Sequence, residues 1–496
     1  MYKIRQIKYS SNSISIQVYK IENRKRVIVR HIGTAKNEQE KQDLISLAQE
    51  FIEKSTKQLH LFNDNQTGNI LYLNQTEFIG VFYSFLYELL SKLIIKIGFD
   101  KLKNSMLIDL VILRMITPAS KLESIDLLEE YFGIKHRRQS YYDFAQKWLV
   151  LKSKAEHIVL DFATKHYAFS YDLLFYDVTT LYFETFDEDE LRKNGFSKDN
   201  KSQQPQILVA LMVTKEGFPI TYEIFPGNTF EGHTIIPVIK KFIRKNNVKE
   251  LTVVADAAMI SSENINSLKE NKINYIVGAR LGNLTENLIS DIDKTIDRNN
   301  GKSIRIKTDN GYLICSFSSL RYRKDKYEME KQIQKAKEIV ENPSKSKKLK
   351  FTKSNGQKIE LNQKLIDKTQ KLLGIKGYYT NLEESIVDNN TIIERYHELY
   401  KIEQAFRISK NDLQTRPIFH FKEEPIKLHL LICFMALVLS KHIELQTGIS
   451  IKKFINESKK VKDARILNLI TKKEIRIRSK PDPLITEILQ KLGLLT

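Results

Sequence analysis

Three acidic residues, far apart in the sequence, stand where the folded chain could bring them together. Asp177 follows the apolar run 173–176, and Asp256 follows a second apolar run, so each is expected where a buried strand reaches its end. Glu403 lies in a stretch of helical pattern that covers 396–410. A desolvated carboxylate must find a partner, because burial without one is costly. Two carboxylates at strand ends and one on a helix can meet at one point and hold divalent metal ions.

The chemistry of these ligands restricts the kind of metal site. Ligands made only of oxygen select hard cations, so the expected cofactor is Mg²⁺ or Mn²⁺, with two ions at the site. Such a pair activates an attacking water or 3′-hydroxyl and stabilises the leaving oxygen in a displacement at phosphorus. The sequence has no Walker-type phosphate loop and no His-Glu-x-x-His run. Its two cysteines stand in unrelated contexts, which argues against a disulfide framework or a cysteine-based metal site.

Two further polar residues share the spacing of Glu403. Tyr396, Glu403 and Lys410 are separated by seven residues each. On one continuous α-helix this spacing places all three on one stripe, with about 10 Å between successive members. Lys410 could then offer a charge to a phosphate, and Tyr396 a hydroxyl. The alternative is an ordinary amphipathic helix whose Glu and Lys face water.

The charge balance of the 496-residue chain points to a polyanionic partner. There are 80 Lys and Arg against 60 Asp and Glu, a formal net charge of +20. A composition rich in Lys and Asn can also reflect genomic base bias. Together with the acidic residues, the charge makes a nucleic acid the expected partner; the partner is double-stranded DNA if the family resemblance given below is right.

The expected location is the cytoplasm, in association with the nucleoid. The chain opens on charged residues, where a secretory signal would have an apolar run. Charged residues interrupt the apolar segment 78–99, and the segment 428–439 is shorter than the roughly 20 residues of a membrane span. Both segments are expected to be core helices, so no membrane partner is predicted.

A multidomain α/β protein is expected from the order of the patterns. The central region alternates between strand and helix, which is typical of a mixed sheet with helices packed on it. The expected strands there are 173–180, 207–214, 218–225, 251–256 and 274–279, and the expected helices are 231–246 and 262–271. The stretch 58–76 is expected to be a linker. The basic residues of the loop 342–350 are interpreted as a solvated turn. The alternative is that they bind phosphates beside an active site.

The sequence predicts six parts. They are a strand-rich N-terminal region at 1–60, a helical domain at 61–168, the first part of a catalytic core at 169–306, an insertion at 307–379, the last part of the core with the Glu403 helix at 380–445, and a helical tail at 446–496.

The second of these parts is the expected DNA-binding domain. Its pattern is helical throughout 77–168, with a capping-box signature at 120–123. A basic turn with Lys135, Arg137 and Arg138 leads into an aromatic-rich helix. In a relative of the helix-turn-helix, such a turn would contact DNA phosphates. Any helical bundle gives a similar pattern, so the alternative is a helical domain that does not contact DNA in this way.

Three sequence blocks, in this order and spacing, carry a family resemblance that covers nearly the whole chain. They are 175–184, 253–259 and 396–410. The last matches the signature Tyr-x2-Arg-x3-Glu-x6-Lys, except that Leu399 stands where the signature has Arg. With these blocks the chain resembles the DDE transposases of bacterial insertion sequences. The resemblance is to the insertion-sequence-4 group, and most closely to its insertion-sequence-1634 branch.

The resemblance implies a fold, a site and a reaction. The fold is an RNase H-like mixed-sheet core with a β-containing insertion between Asp256 and Glu403, where the gap of 403 − 256 = 147 residues leaves room for it. The implied catalytic metal ligands are Asp177, Asp256 and Glu403. The implied reaction is cleavage at the terminal inverted repeats of the element and joining of the 3′ ends to target DNA, by a homodimer on DNA. The alternatives are a metal-dependent nuclease without strand transfer and a domesticated DNA-binding regulator.

Overall fold

The computed structural model describes residues 2–22, 25–56, 75–197, 201, 203–259, 261–341, 349–355, 358–469 and 472–494. Most of the expected linker at 58–76 and of the basic loop at 342–350 lie outside these residues. Within them the chain is a mixed α/β protein with one large mixed sheet, three small sheets and many helices.

The strands, in chain order, are β1 Tyr2–Lys8, β2 Ile14–Glu22, β3 Lys25–Ala35, β4 Thr76–Phe82, β5 Leu173–Tyr182, β6 Gln206–Val213, β7 Pro219–Pro226, β8 Thr252–Ala255, β9 Asn274–Ala279, β10 Ser303–Thr308, β11 Gly311–Phe317, β12 Thr352–Asn355, β13 Lys358–Leu361, β14 Ile375–Thr380, β15 Asp463–Asn468 and β16 Glu474–Arg478.

The helices are α1 Glu38–Thr56, α2 Ser84–Ile97, α3 Ser105–Ile116, α4 Lys121–Phe132, α5 Arg138–Ala145, α6 Trp148–Tyr167, α7 Ile235–Asn246, α8 Ser262–Glu270, α9 Glu286–Thr295, α10 Ser319–Glu341, α11 Gln363–Lys371, α12 Asn389–His397, α13 Tyr400–Arg407, α14 Glu423–Thr447, α15 Ile451–Ser458 and α16 Pro483–Lys491. Short 3₁₀ turns lie at Phe99–Leu102, Glu231–His233, Ala257–Met259 and Leu281–Asn283, and a π-helical turn at Ile408–Asp412.

The described chain divides into two compact units. The first contains Met1–Leu90, Asp126–Lys135 and Ile455–Thr496, and the second contains Ser91–Ile125 and His136–Phe454. The six-part division of the chain stays a prediction.

The second unit is built on an eight-stranded sheet with the order β10-β11-β14-β9-β8-β5-β6-β7. Strands β5, β6 and β7 are antiparallel neighbours, whereas β8 runs parallel to both β5 and β9. The five strands expected between 173 and 279 are present as β5 to β9. Every residue of β6 is buried, which explains why its sequence is a continuous apolar run with no alternation. Gly217, at a φ of 84°, provides the left-handed residue of the β6–β7 turn.

The strands that follow α9 continue the same sheet. β14 pairs antiparallel with β9, β11 with β14, and β10 with β11. The segment expected as an insertion therefore contributes β11, most of β14 and the end of β10 to one side of the large sheet, and β12 and β13 form a separate hairpin.

The long helix α14 lies in the interior of the second unit. Its 25 residues are apolar and numerous enough to cross a membrane, but 94% of its most apolar window is buried inside the protein. It packs on α3, α6 and β7. The segment 428–439 is thus part of a longer core helix than its apolar run indicates.

The first unit contains two three-stranded sheets, β1-β2-β3 and β16-β15-β4. Helix α1 packs on the first sheet around Ile16, Val18 and Leu44. Two expectations are wrong here. The helical pattern from 77 begins with a strand, β4, and the expected helical tail contains β15 and β16. Both errors have one cause: β4 pairs with β15, nearly 400 residues away, and a local pattern cannot show that partner.

Candidate active site

The register of two parallel strands sets Asp177 and Asp256 beside each other. The last paired residues of β5 and β8 are Tyr176 and Ala255, and each acidic residue directly follows its member of this pair. Because Asp177 and Asp256 continue two adjacent parallel strands, they lie at the same level of the sheet.

The local structure differs from the expected pair of strand ends. β8 ends at Ala255, but β5 continues for five residues beyond Asp177, to Tyr182. In that second half β5 is paired with β6 only. Asp177 therefore lies within a strand, at the point where its neighbour on one side stops. The apolar residues Val178 and Leu181 keep the strand buried after Asp177, and the run 173–176 does not reveal this.

Asp256 is held by two donors. Its Oδ1 accepts a hydrogen bond from the backbone N–H of Ala257 (2.7 Å), at the start of a 3₁₀ turn. The same oxygen accepts a hydrogen bond from the hydroxyl of Tyr396 (3.0 Å). Asp256 is exposed and Asp177 half-buried, so both carboxylates reach water. A hydrogen bond from the backbone N–H of Val178 (2.7 Å) similarly fixes Oδ1 of Asp177.

Tyr396 reaches Asp256 because strand β9 has a glycine between them. A Cβ placed on Gly278 would lie 2.5 Å from the Tyr396 hydroxyl and 3.1 Å from the Cβ of Ala257. The ring of Tyr396 packs against Tyr378 on β14, with 4.9 Å between the centroids. Burial raises the pKa of Tyr396, and the charges of Asp256 and Glu403 raise it further, so the phenol stays a proton donor at neutral pH.

Glu403 lies on α13, a helix that packs on β5 and β6, whereas Tyr396 lies on α12, which packs on β8 and β9. The single continuous helix expected over 396–410 is therefore wrong. Between α12 and α13 the bonds become of the 3₁₀ type, from the N–H of Leu399 to Tyr396 and from Ile402 to Leu399. After α13, the chain enters the π-helical turn Ile408–Asp412. The 3₁₀ bonds overwind the helix and the π-helical turn underwinds it. Residues seven apart, such as Tyr396, Glu403 and Lys410, therefore no longer lie on one face.

Glu403 is exposed, and it makes no hydrogen bond or ion pair with any residue of the described segments. Its charge acts on the same two groups as that of Asp256, since both carboxylates raise the pKa of Tyr396 and oppose the lowering of the pKa of Lys376. Oxygen donors of this kind fit a hard divalent cation. Within the described part of the chain, however, no three acidic, histidine or cysteine side chains stand close enough together to hold a metal ion.

Lys376, on β14, is a neighbour of this cluster that the sequence does not reveal. Its Nζ lies 4.7 Å from the ring centroid of Tyr396 and 5.6 Å from that of Tyr378. Burial and the charge of Arg321 lower the pKa of Lys376, and the charges of Asp256 and Glu403 oppose this shift. Position 376 falls in the expected insertion and in none of the three motif blocks. Only the pairing of β14 with β9 brings it to the site.

Four further predicted residues belong to other elements of the chain. Lys410 belongs to the π-helical turn and is half-buried. Lys135, in the first unit, is exposed and forms a surface ion pair with Glu129 (2.8 Å). Arg137 and Arg138 are exposed at the start of α5, in the second unit. Their roles in binding DNA stay predictions.

Leu399, which stands at the Arg position of the signature, is 7% exposed and part of the core. The side chain at this position therefore packs against apolar neighbours. The structure provides a cation near the carboxylates from another element, Lys376 on β14.

Comparisons with known proteins identify the family of this chain. No curated protein gave a significant match. A solved structure, the cryo-EM structure of the piggyBac transposase synaptic complex with hairpin DNA, is similar over 71% of this chain and 68% of that chain, at 11% identity and a TM-score of 0.37. Residues 168–439, more than half of the chain, match the family model described as the transposase DDE domain. This segment contains Asp177, Asp256 and Glu403, and the chain belongs to the transposase DDE domain family, as a DDE-type transposase.

Proposed function

We propose that this protein cleaves DNA at the terminal inverted repeats of its own insertion sequence and joins the freed 3′ ends to target DNA. The observation that carries the proposal is the adjacency of Asp177 and Asp256 at the end of the β5–β8 pairing, with Glu403 close enough for its charge to act on the same tyrosine and lysine. Carboxylates on two adjacent strands, with a third on a neighbouring helix, are suited to holding metal ions that act at phosphorus.

Asp177, Asp256 and Glu403 are the residues that would hold the cofactor, two Mg²⁺ or Mn²⁺ ions. When bound, such ions supply activation of a water or 3′-hydroxyl and stabilisation of the leaving oxygen. The protein's own contribution is positional. The backbone N–H groups of Val178 and Ala257 each fix one carboxylate oxygen, so that the other oxygen of each residue has a defined direction.

Tyr396 and Lys376 complete the site. Tyr396 keeps Asp256 in place through its hydroxyl, at a distance of 3.0 Å. Lys376 brings a positive charge to a site with three negative ones, and an approaching DNA phosphate would meet that charge. Since position 399 is a buried leucine, we assign to Lys376 the electrostatic contribution that an Arg makes in the signature.

The finer family assignment belongs to the same proposal. In the order β7-β6-β5-β8-β9, three antiparallel strands are followed by two parallel ones, which supports the RNase H-like core that the resemblance implies. The signature at 396–410, with its one departure at Leu399, supports the insertion-sequence-4 group and its insertion-sequence-1634 branch.

The partners follow from the reaction and from the charge. A chain with a net charge of +20 suits duplex DNA, both at the inverted repeats and in the target. Two element ends have to be cut and joined together, so we propose that two copies act as a homodimer on DNA. The compartment would be the cytoplasm, at the nucleoid.

The experiment is an in vitro reaction with the purified full-length protein, Mg²⁺, a plasmid that carries the element between its own inverted repeats, and a second plasmid as target. The expected products are breaks at the repeat boundaries and 3′ ends joined to the target plasmid. Scrambled repeats are the matched control and should give neither product. Boundary breaks without joined products would favour the nuclease, and specific binding without breaks would favour the regulator.

A further inference from the structure

A second site is visible in the second unit, apart from the three carboxylates. A cavity of about 700 Å³ opens between the segment 118–123, the start of α5 and the segment 414–425. We call it the Lys121 cavity. Its wall contains five Lys or Arg residues, and the acidic residue among them is Glu123. Because positive charge dominates the wall, the cavity suits an anion.

Two of these cations are deep in the protein. Lys121 is 8% exposed and Arg114 is 5% exposed. Buried Lys and Arg side chains are normally paired with an acid, because an unpaired buried charge is costly. Within the described residues, no carboxylate forms an ion pair with either side chain. The guanidinium of Arg114 donates a hydrogen bond to the carbonyl of Ala119 (2.8 Å).

A neutral histidine holds Lys121 in place. Nε2 of His429 donates to the carbonyl of Thr415 (3.0 Å), so Nδ1 is left as the acceptor for the Nζ of Lys121, at 3.2 Å. Burial, followed by the charges of Lys121 and Arg114, lowers the pKa of His429 and keeps the ring neutral. Burial and the charge of Arg114 lower the pKa of Lys121, so an anion in the cavity would favour the protonated form of its amine. That ammonium has three donors, and this arrangement uses one of them on His429. The others can serve a ligand in the cavity.

Aromatic rings stand at the mouth of the same cavity. Phe419 is 61% exposed and Phe421 is 66% exposed. A surface that binds unpaired nucleic acid needs aromatic rings and cations, since bases stack on the rings and cations bind the phosphates. Both are present at this cavity.

The strand that carries Asp177 leads to this cavity. The N–H of Ile418 donates to the carbonyl of Tyr182, the last residue of β5 (3.3 Å), and Phe183 forms a parallel bridge with Ile418. Tyr182 lies five positions beyond Asp177 along β5, which corresponds to about 16 Å. At about 3.4 Å of helix axis per nucleotide, a DNA strand would cross this distance in a few nucleotides.

We propose that the Lys121 cavity binds a phosphate group of an unpaired DNA strand, with Lys121 and Arg114 as its counter-charges and Phe419 and Phe421 as stacking surfaces for adjacent bases. The identity of the ligand as DNA rests on the proposed function. A free phosphate shares the same chemistry, and the experiment separates the two sources.

The test uses the full-length protein and a fluorescein-labelled oligothymidylate, with anisotropy as the readout and inorganic phosphate as a competitor in a separate arm. Lys121→Met removes the ammonium and keeps the length of the side chain, and Lys121→Arg keeps a charge. Lys154→Met, at an exposed position of α6 outside the cavity, is the matched control.

Lys121→Met should weaken oligothymidylate binding at least about tenfold and reduce the slope of log affinity against log salt by about 0.7. Lys121→Arg should restore most of the affinity, and Lys154→Met should not change it. Phe419→Ala should weaken binding on the order of tenfold with the same salt slope, because stacking is not ionic. Phe419 is exposed, so this variant decides the question even if Lys121→Met does not fold.

Unchanged oligothymidylate affinity in Phe419→Ala, or in folded Lys121→Met, would overturn the proposal. Competition by inorganic phosphate that depends on Lys121, with no change in oligothymidylate affinity, would assign the cavity to a free anion and overturn it as well. Asp177→Asn is measured alongside for cleavage. Normal cleavage by that variant would contradict the proposed function. It would not change the conclusion about strand binding, which rests on the Lys121 and Phe419 variants.

Discussion

The hydroxyl of Tyr396 donates a hydrogen bond to Oδ1 of Asp256 at 3.0 Å, across the strand β9. This contact joins α12 to the end of β8, and it exists because Gly278 leaves the space that the hydroxyl occupies. One acidic residue of the site thus depends on a tyrosine and a glycine that are distant from it in sequence.

Gly278→Ala should therefore impair cleavage. Its Cβ would stand 2.5 Å from the hydroxyl oxygen, so Tyr396 would move and Asp256 would lose one of its two donors. A displacement of this size at a catalytic group lowers the rate on the order of tenfold to a hundredfold. Gly282→Ala is the matched control, since no atom lies within 4 Å of its added Cβ. Cleavage rate and Tm are measured for both variants.

The double variant Gly278→Ala, Tyr396→Phe separates the clash from the hydrogen bond. Removal of the hydroxyl removes the clash, so the double variant should be no slower than Tyr396→Phe alone. If Gly278→Ala slows the reaction equally with and without the hydroxyl, the glycine acts by another route.

Lys376→Met should reduce cleavage at least about tenfold, because the site loses the cation beside Asp256 and Glu403. Lys376→Arg should retain a large part of the rate. Lys371→Met, at an exposed position on the preceding helix, serves as the control. A rate for Lys376→Met equal to that of the control, at equal DNA affinity, would remove Lys376 from the site.

Much of this site could be predicted from the sequence. The apolar runs before Asp177 and Asp256 identified two strands. The parallel register that joins them was not predicted, because β6, β7 and α7 stand between β5 and β8 in the sequence. Lys376 and Gly278 could not be found in this way. Each acts through pairing between strands that are distant in sequence, and neither lies in a motif block. The breaks in the helix over 396–410 could not be predicted from the sequence either, because 3₁₀ and π turns leave the spacing of apolar residues nearly unchanged.

DNA recognition has to be tested on the full-length chain. A fragment of residues 1–168 would contain β4 without β15, its pairing partner, so it would lack part of the first unit. Full-length Arg137→Gln, Arg138→Gln is the better variant, since both side chains are exposed. Its affinity for the inverted repeat should fall, and its salt slope should decrease by about 0.9 for each DNA phosphate that the variant no longer neutralises. Arg244→Gln, an exposed substitution on α7, should leave both quantities unchanged.

A buried ion network predicts how stability depends on pH. Glu156 accepts hydrogen bonds from Lys152 (2.6 Å), Thr221 (2.6 Å) and Lys245 (2.7 Å). Burial alone would raise the pKa of Glu156, but Lys152, Lys245 and Thr221 outweigh burial, and the pKa lies below its ordinary value. The stabilisation is therefore fully present above the unfolded pKa of about 4.3, and it is lost as pH falls through the lower folded value.

Glu156→Gln should lower the free energy of unfolding at pH 7 by about 1.5–3 kcal/mol, because buried Lys152 loses its closer acid and keeps Glu223, at 3.1 Å, as a partner. The difference from the wild type should shrink as the pH is lowered toward the folded pKa. Urea unfolding at several pH values measures both effects, with exposed Glu384→Gln as the control. A difference that is constant with pH would show that the charge of Glu156 is not what stabilises the fold.

The most direct measurement of the central claim is cleavage of an end-containing DNA, in Mg²⁺, by Asp177→Asn, Asp256→Asn and Glu403→Gln, with DNA affinity and Tm measured on the same preparations. Each substitution keeps the shape of the side chain and removes its charge. We predict that every one of the three abolishes cleavage while DNA binding and folding are retained, because the carboxylates act on the reaction and not on the complex. Near-normal cleavage by any one variant would contradict the assignment of that residue to the catalytic site.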